Sequence, residues 1–465
     1  MHKTLFDKVW YAHLIRDLGD EWALVHIDRH LLHDLSGPLA LEELERRGLS
    51  VRNPELSVAT PDHAISSEPG RTGMTLEKGG RLWRALKERT RTSGVRFFEL
   101  GTPGHGIVHV MAPELGLVLP GTTLVCGDSH TCTNGGLGAL AFGIGTSDVA
   151  HVLATQTLRL RKPKSMRVRF EGRLGRCVSS KDLMLDLIAR FGTSAGTGCA
   201  IEYGGSTIEA MDVEARLTLC NLSIELGANM AMIAPDETTF SWLQGRPFAP
   251  SGSQFDRAVA YWQGLNSDPD AIFDREEYVD ASEVPPTITW GTSPEHAIGV
   301  DGIIPHPREV HGSPAGKALE AALSYMGLEP GRPIAGTKVD YVFIGSCANS
   351  RLSDLRVAAG LVRGRRVAGG VRAWVVAGSE NVKRDAEAEG LDRIFTEAGF
   401  EWREPSCSMC SAVNGERVPP RARSISTSNR NFVGRQGPEA RTHIASPATA
   451  AAAAVTGFIT DPRAL

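Results

Sequence analysis

The 465-residue sequence has little that would tie it to a membrane or a polyanion. It has no run of about 18 apolar residues, the length a bilayer-spanning helix needs. Its start, Met-His-Lys-Thr-Leu-Phe-Asp-Lys-Val-Trp, carries charges where a signal peptide needs an uninterrupted apolar core. Lys and Arg number 50 against 54 Asp and Glu, so a formal charge of -4 gives no general attraction to nucleic acid. The sequence also lacks a Gly-x-x-x-x-Gly-Lys phosphate loop and any repeat of fixed period. These absences point to a cytoplasmic protein with neither nucleic acid nor membrane as a partner. In that compartment thiols stay reduced, and the eight cysteines are not expected to form a disulfide framework.

An apolar content of 42% and a charged content of 22% are those of a folded globular chain, and the length suggests more than one core. Thr122–Gly127 reads as a buried strand and Leu137–Leu158 as a packed helix, with Asp128, Ser129 and His130 in the loop between them. The alternation returns with a strand at Val339–Ile344, Cys347 in the turn and a helix over Ser353–Val362. A strand at Val371–Ala377 and a helix at Val382–Gly390 follow. Alternation of this kind implies α/β layers with parallel sheets, whose sites lie beyond the carboxyl ends of strands. The polar segments Arg161–Lys164 and Gln263–Pro286 divide the chain into three expected α/β domains, 1–163, 164–286 and 287–465. The alanine run Ala450–Ala454 reads as a close-packed helix.

Two motifs are misleading. Gly136-Leu-Gly138-Ala-Leu-Ala141 matches a dinucleotide fingerprint, but its glycines come too late after the strand and no acidic residue follows about 20 positions on. Gly192-Thr-Ser-Ala-Gly196 matches a hydrolase nucleophile elbow, yet it follows the helix-like segment Lys181–Phe191 where an elbow needs a strand.

The informative cysteines are Cys347 in Gly-Ser-Cys-Ala-Asn-Ser-Arg, and Cys407 and Cys410 in Ser-Cys-Ser-Met-Cys. Three thiolates suffice to hold an iron–sulfur cube and leave one iron open, whereas an electron-transfer cluster normally has four cysteine ligands. A Cys-x-x-Cys pair with a distant third cysteine can also hold zinc with a histidine, as in a zinc-stabilised binding protein without catalysis, and spacing alone leaves this lesser reading open. The other five, Cys126, Cys132, Cys177, Cys199 and Cys220, are expected to be buried free thiols. Asp62-His63 and Asp128-Ser129-His130 each put a carboxylate beside an imidazole, with His109 nearby in Gly-His-Gly-Ile-Val-His. A carboxylate favours the imidazolium, which can protonate a departing hydroxyl. Arg430 and Arg435, in Ser-Asn-Arg-Asn-Phe-Val-Gly-Arg-Gln, have the fork geometry for carboxylates.

Taken in order along the chain, these segments resemble the aconitase superfamily. The resemblance includes Thr-Leu-Phe-Asp-Lys-Val-Trp, Ile-Asp-Arg-His-Leu-Leu-His, Gly-Asp-Ser-His-Thr, Cys-Asn-Leu-Ser-Ile-Glu-Leu-Gly-Ala, Ala-Pro-Asp-Glu-Thr-Thr-Phe, Thr-Trp-Gly-Thr-Ser-Pro, the three cysteine positions and Ser-Asn-Arg-Asn-Phe. It implies three α/β domains around one 4Fe-4S cluster held by Cys347, Cys407 and Cys410, with one open iron and with Asn221 and Asn429 beside it. It further implies that Asp62, His63, His109, Asp128 and His130 surround a migrating hydroxyl and that Glu225 orients the reacting oxygen. His33, Ser129, Arg430 and Arg435 would face the substrate, an alkylmalate. The swivel domain that completes the family's site is expected from a separate small subunit, since only 30 residues follow Arg435. Leu35-Ser-Gly-Pro-Leu-Ala-Leu41, Ser411-Ala-Val-Asn414 and Arg423-Ser-Ile-Ser426 depart from the family's usual wording. They admit another 2-substituted malate, homoaconitase-like or in specialised metabolism, as substrate.

Overall fold

Runs such as Thr123-Leu-Val-Cys126 are too short and too evenly apolar for an amphipathic helix; in the computed structural model of the chain they are strands of parallel sheets. The structure describes residues 2–307 and 314–465. These form two units, one built from the chain up to Ile65 with Thr72–Arg173 and Ser194–Asp280, the other from Ser66–Arg71, Leu174–Thr193 and Ala281–Leu465.

In the first unit a five-stranded parallel sheet runs in the spatial order Arg96–Phe97, Ser57–Ala59, Arg29–Leu32, Thr123–Cys126, Leu140–Gly143. A four-stranded parallel sheet has the order Met230–Ile233, Cys199–Gly204, Lys164–Glu171, Arg275–Asp280. Leu14–Gly19, Trp22–His26 and Thr157–Arg161 add an antiparallel sheet. The core of this unit includes Trp10, Leu31, Met111, Leu124, Val125, Leu140 and Leu217, all essentially without solvent contact.

The second unit is organised on a five-stranded parallel sheet with the order Glu401–Arg403, Arg372–Val376, Tyr341–Ile344, Arg423–Ser426, Arg441–Ile444. Helices Leu352–Val362 and Glu380–Ala388 follow their strands as the alternation predicts. The alanine run lies within helix Pro447–Thr456, and Ala450–Ala454 are wholly buried, as small side chains permit when a helix packs closely. Among the described residues no helix is long and apolar enough to cross a membrane.

Leu137–Leu158 is not one helix. Leu140–Gly143 is a strand at the sheet edge, the helix covers only Thr146–Thr155, and Thr157–Arg161 is again a strand. Gly138 at φ +79° and Gln156 at φ +54° break the path on either side, and the apolar Leu-Ala-Phe run suits a strand buried on both faces. Cys177 and Cys199 are only partly buried, unlike Cys126, Cys132 and Cys220; all five are free thiols. Gln263–Pro286, polar enough to read as a linker, includes the edge strand Arg275–Asp280, whose outer face is solvated.

After the strand Thr123–Cys126 the chain enters a 3-10 stretch, Ser129–Leu137, that carries His130 and packs tightly against its neighbours. A Cβ at Gly135 would stand 1.7 Å from the carbonyl oxygen of Ala231. Gly135→Ala should therefore destabilise the chain by about 1–3 kcal/mol through overpacking. Gly360, exposed in a helix interior with open space around it, should give the opposite sign on replacement by alanine, about 0.5–1 kcal/mol more stable. Urea unfolding of both variants checks the pair.

Candidate functional site

In the first unit, three adjacent parallel strands end side by side, and the turns that follow carry His33, Asp62-His63 and Asp128. His63 is the centre of the arrangement. Its Nδ1 lies 2.5 Å from Asp62 Oδ1 and its Nε2 3.1 Å from Asp128 Oδ2. Two carboxylates can both be satisfied by one ring only if both ring nitrogens carry protons, so the geometry calls for an imidazolium. The second oxygen of Asp62 accepts the amide N–H of Val108 at 2.9 Å. Burial alone would raise the Asp62 carboxyl, but the charge and hydrogen bond of His63 hold it below the ordinary carboxylate value.

Asp128 is also faced by His109 Nε2 at 3.4 Å and His130 Nδ1 at 3.6 Å, and it accepts the His130 amide at 2.7 Å. Burial opposes ionisation here too, yet the three imidazoles that face it, His109, His130 and His63, keep the carboxyl well below its usual range. Burial pushes His109 down, outweighing the pull of Asp128. With Asn134 Nδ2 3.3 Å from its Nδ1, a neutral His109 would carry its proton on Nε2, toward Asp128. His130 Nε2 in turn meets Glu225 Oε1 at 3.1 Å, extending the chain of partners to the 3-10 turn Leu222–Leu226.

Of the residues proposed to face substrate, His33 stacks obliquely on His63 with ring centroids 4.7 Å apart. Its Nδ1 accepts the Leu35 amide and its Nε2 lies 3.0 Å from the Gly127 carbonyl, which fixes the tautomer with the proton on Nε2. Ser129 is half-buried at the start of the 3-10 stretch. Asn221 ends the helix Val213–Asn221, is buried, and donates to Thr133 Oγ1 at 2.7 Å. His33, Asp34, Asp62 and His63 bring possible ligand atoms within 4.8 Å of one another. Backbone N–H groups of Leu35, His63, Ala64 and Val108 already occupy acceptor atoms of this set, so it has the character of a hydrogen-bonded frame rather than an ion cage.

The second unit carries the cysteines, again beyond strand ends: Cys347 after Tyr341–Ile344, Cys407 and Cys410 after Glu401–Arg403, and Asn429 after Arg423–Ser426. All three thiols are buried. Asn429 reaches two of them, with Nδ2 3.6 Å from Cys347 Sγ and Oδ1 3.6 Å from Cys410 Sγ, while an Arg435 guanidinium nitrogen lies 3.6 Å from Cys410 Sγ. Soft sulfur donors with N–H groups aimed at them suit an iron–sulfur group, whose properties such hydrogen bonds tune. Arg430, next to Asn429, is half-buried.

One residue in each unit escapes a reading by motif. Asp34 accepts the amides of His63 and Ala64 at 3.1 and 2.9 Å and so fixes the His63 backbone; its position beside His33 was the only clue. Glu416 accepts from Ser67 N, Ser67 Oγ and Ser408 Oγ, each at 2.7 Å, and ties the Cys407–Cys410 turn to a segment some 340 residues earlier. Ser408 holds φ +48° there, an uncommon backbone for serine.

A parallel-sheet Asp/His network in one unit and three buried thiols on loops beyond the strands of the other accord with comparison against known proteins: the chain belongs to the aconitase family, whose model, described as Aconitase family (aconitate hydratase), matches residues 7–457. At the level of particular proteins, it is 62% identical over 463 residues to the 3-isopropylmalate dehydratase large subunit 1 of Bradyrhizobium diazoefficiens, covering 100% of this chain and 97% of the relative. It is 53% identical over 468 residues to the 3-isopropylmalate dehydratase large subunit of Roseiflexus castenholzii, covering 100% and 99%. The crystal structure of Thermococcus kodakaraensis aconitase X (holo-form) aligns over 92% of this chain and 90% of that one, with a TM-score of 0.47 and 13% identity.

Asp128→Asn removes the anion that three imidazoles face and should cost about 3–5 kcal/mol of stability at neutral pH, as for a broken buried ion pair. The folded pKa of Asp128 lies below the ordinary 3.8, so its contribution is present above that value and lost as pH falls through the folded one. Urea unfolding of wild type and variant should show a gap that is widest near pH 7 and narrows below about pH 4; a gap indifferent to pH would contradict the assignment.

Proposed function

We propose that this chain is the large, catalytic subunit of a hydro-lyase that isomerises 2-isopropylmalate to 3-isopropylmalate by dehydration and rehydration through isopropylmaleate, a step of leucine biosynthesis. The observation that carries the reading is His63 clamped between Asp62 and Asp128, in a chain 62% identical along its whole length to a protein named for that reaction.

Removing a proton next to a carboxylate and expelling hydroxide is slow because a poor group must leave as charge builds on carbon. A 4Fe-4S cluster held by Cys347, Cys407 and Cys410 would supply, when bound, an open iron that acts as a Lewis acid toward the reacting oxygens. A zinc reading of the same cysteines needs a fourth nitrogen or sulfur ligand, but the groups that face the sulfurs include an amide and a guanidinium.

The side chains of the chain itself manage the protons. His63, held as the imidazolium, delivers a proton to the departing hydroxyl and recovers it on rehydration. Asp62 and Asp128 keep that proton on the ring between turnovers. His109, neutral, orients Asp128, and His130 passes the network to Glu225, which aligns the reacting oxygen. Arg430 and Arg435 pair with substrate carboxylates in bidentate fashion, with Ser129 and His33 as further contacts and Asn221 and Asn429 beside the cluster. The base that takes the carbon-bound proton comes from a small swivel-domain subunit, a division supported by the words "large subunit" in the relatives' names. In this reading the chain works in the cytoplasm, as three α/β domains at 1–163, 164–286 and 287–465, each containing one of the three parallel sheets.

A second reading, the same chemistry on another 2-substituted malate, draws on Leu35–Leu41. This divergent stretch begins at the residue whose amide is bonded to His33, a position that bears on the substrate side group.

Cys347→Ser should lose iron and turnover together after anaerobic reconstitution, from about four irons per chain toward none. His63→Ala should keep its iron and lose about 10²–10⁴-fold in turnover. Iron analysis beside activity with the small subunit tests both; full iron in the cysteine variant would refute the ligand assignment.

A further inference from the structure

Lys181 lies in the first turn of helix Ser180–Phe191 and is completely buried. An ammonium has three N–H donors, and here they meet three acceptors: Asn349 Oδ1 at 3.0 Å, the Thr427 carbonyl at 2.5 Å and the Ser428 carbonyl at 2.7 Å. These acceptors belong to the two loops that matter most in the second unit. Asn349 stands two residues after Cys347, and Thr427 and Ser428 immediately precede Asn429 and Arg430.

The two loops are also joined by the Asn429–Cys347 contact and by hydroxyl contacts. Thr427 Oγ1 bonds the amide and carbonyl of Gly345 at 2.9 and 3.0 Å. Asn349, having given its oxygen to Lys181, gives its nitrogen to Asp354 at 2.8 Å, and Asp354 caps the helix that begins at Leu352. The ammonium brings a formal positive charge to these bonds, and the buried Arg351 brings a second one to the Cys347 loop through the Ala348 carbonyl at 2.9 Å. A buried cation is costly unless something gains from it, and its hydrogen-bond partners are neutral. Burial pulls Lys181 down to about 8, against the opposing charges of Asp354, Cys410, Asp182 and Cys347, which leaves it mainly protonated at neutral pH.

We propose that Lys181 is a positioning residue for the cysteine site: its ammonium pins the Cys347 loop to the Asn429-Arg430 loop and supplies positive charge that offsets the negative charge gathered by Cys347, Cys407 and Cys410. The charge half of this proposal rests on the cluster reading above; the pinning half does not. A positive charge near an iron–sulfur group favours its reduced form, so loss of the charge should move the midpoint potential to more negative values.

Lys181→Met removes charge and donors, and Lys181→Gln removes the charge while keeping an N–H donor. In the chain without cluster, amide exchange followed by mass spectrometry should speed up by about ten- to a hundred-fold over residues 345–351 and 426–431 in Lys181→Met, with less change in Lys181→Gln. In the reconstituted chain with its small subunit, a redox titration followed by electron paramagnetic resonance should give a more negative midpoint for both variants. Unaltered exchange in a folded Lys181→Met chain overturns the pinning role, and an unaltered midpoint in Lys181→Gln overturns the charge role. If Lys181→Met unfolds as a whole, the exchange and midpoint of Lys181→Gln decide. A wild-type chain that takes up no cluster counts against the functional reading, and the exchange result then decides Lys181 alone.

Discussion

The carboxylate of Asp128 is the constraint from which the rest of the first unit follows. It is an anion taken out of water, and burial by itself would protonate it. It stays ionised because imidazoles from three separate segments, His63, His109 and His130, converge on its two oxygens. The same interaction read from the other side explains His63: held between Asp128 and Asp62, the ring has a carboxylate at each nitrogen and is fixed as the imidazolium. The tight approach of Gly135 to Ala231 and the helical turn that supplies Glu225 have a common consequence, which is to hold His130 where it completes this frame.

Both constellations arise from the same property of parallel sheets. Adjacent strands run in one direction, so their carboxyl ends open on one edge and the turns that follow become neighbours whatever their distance in sequence. In the first unit this brings together turns after residues 32, 59 and 126; in the second, turns after residues 344 and 426, with the turn after residue 403 on the same edge beyond the intervening strand Arg372–Val376. Polar turns beyond strand ends cannot support one another by apolar packing, and each set is bound instead by a buried charge, Asp128 in one and Lys181 in the other. What these charges lose by leaving water is offset by the opposite charges and hydrogen-bonding groups that face them.

What could be seen in the sequence were groups whose chemistry is carried by adjacency. Asp62 beside His63, Asp128 two before His130 and the Cys-x-x-Cys pair are visible without coordinates, as is the strand-turn-helix rhythm that places Asp128 and Cys347 after strands. The helix expected over Leu137–Leu158 failed because small and apolar residues serve a buried strand as well as a packed helix, and the glycines that decide between them look alike in both. Lys181, Asp34 and Glu416 left almost no trace. Lys181 reads as an ordinary polar residue near a helix start, and the acceptors that give it meaning are mostly backbone carbonyls about 246 residues away. Charge partners of that kind have no sequence signature, because any residue can offer a carbonyl.

The central claim is that this frame moves a hydroxyl between neighbouring carbons of an alkylmalate. It is tested most directly by mixing the anaerobically reconstituted chain with its small subunit, adding 2-isopropylmalate, and following the alkene-diacid absorbance together with the appearance of 3-isopropylmalate. The account predicts that absorbance rises to a steady level as the isomer accumulates, faster than with homologous malates. A reconstituted enzyme with full iron that yields neither the alkene nor the isomer from any 2-substituted malate would contradict it.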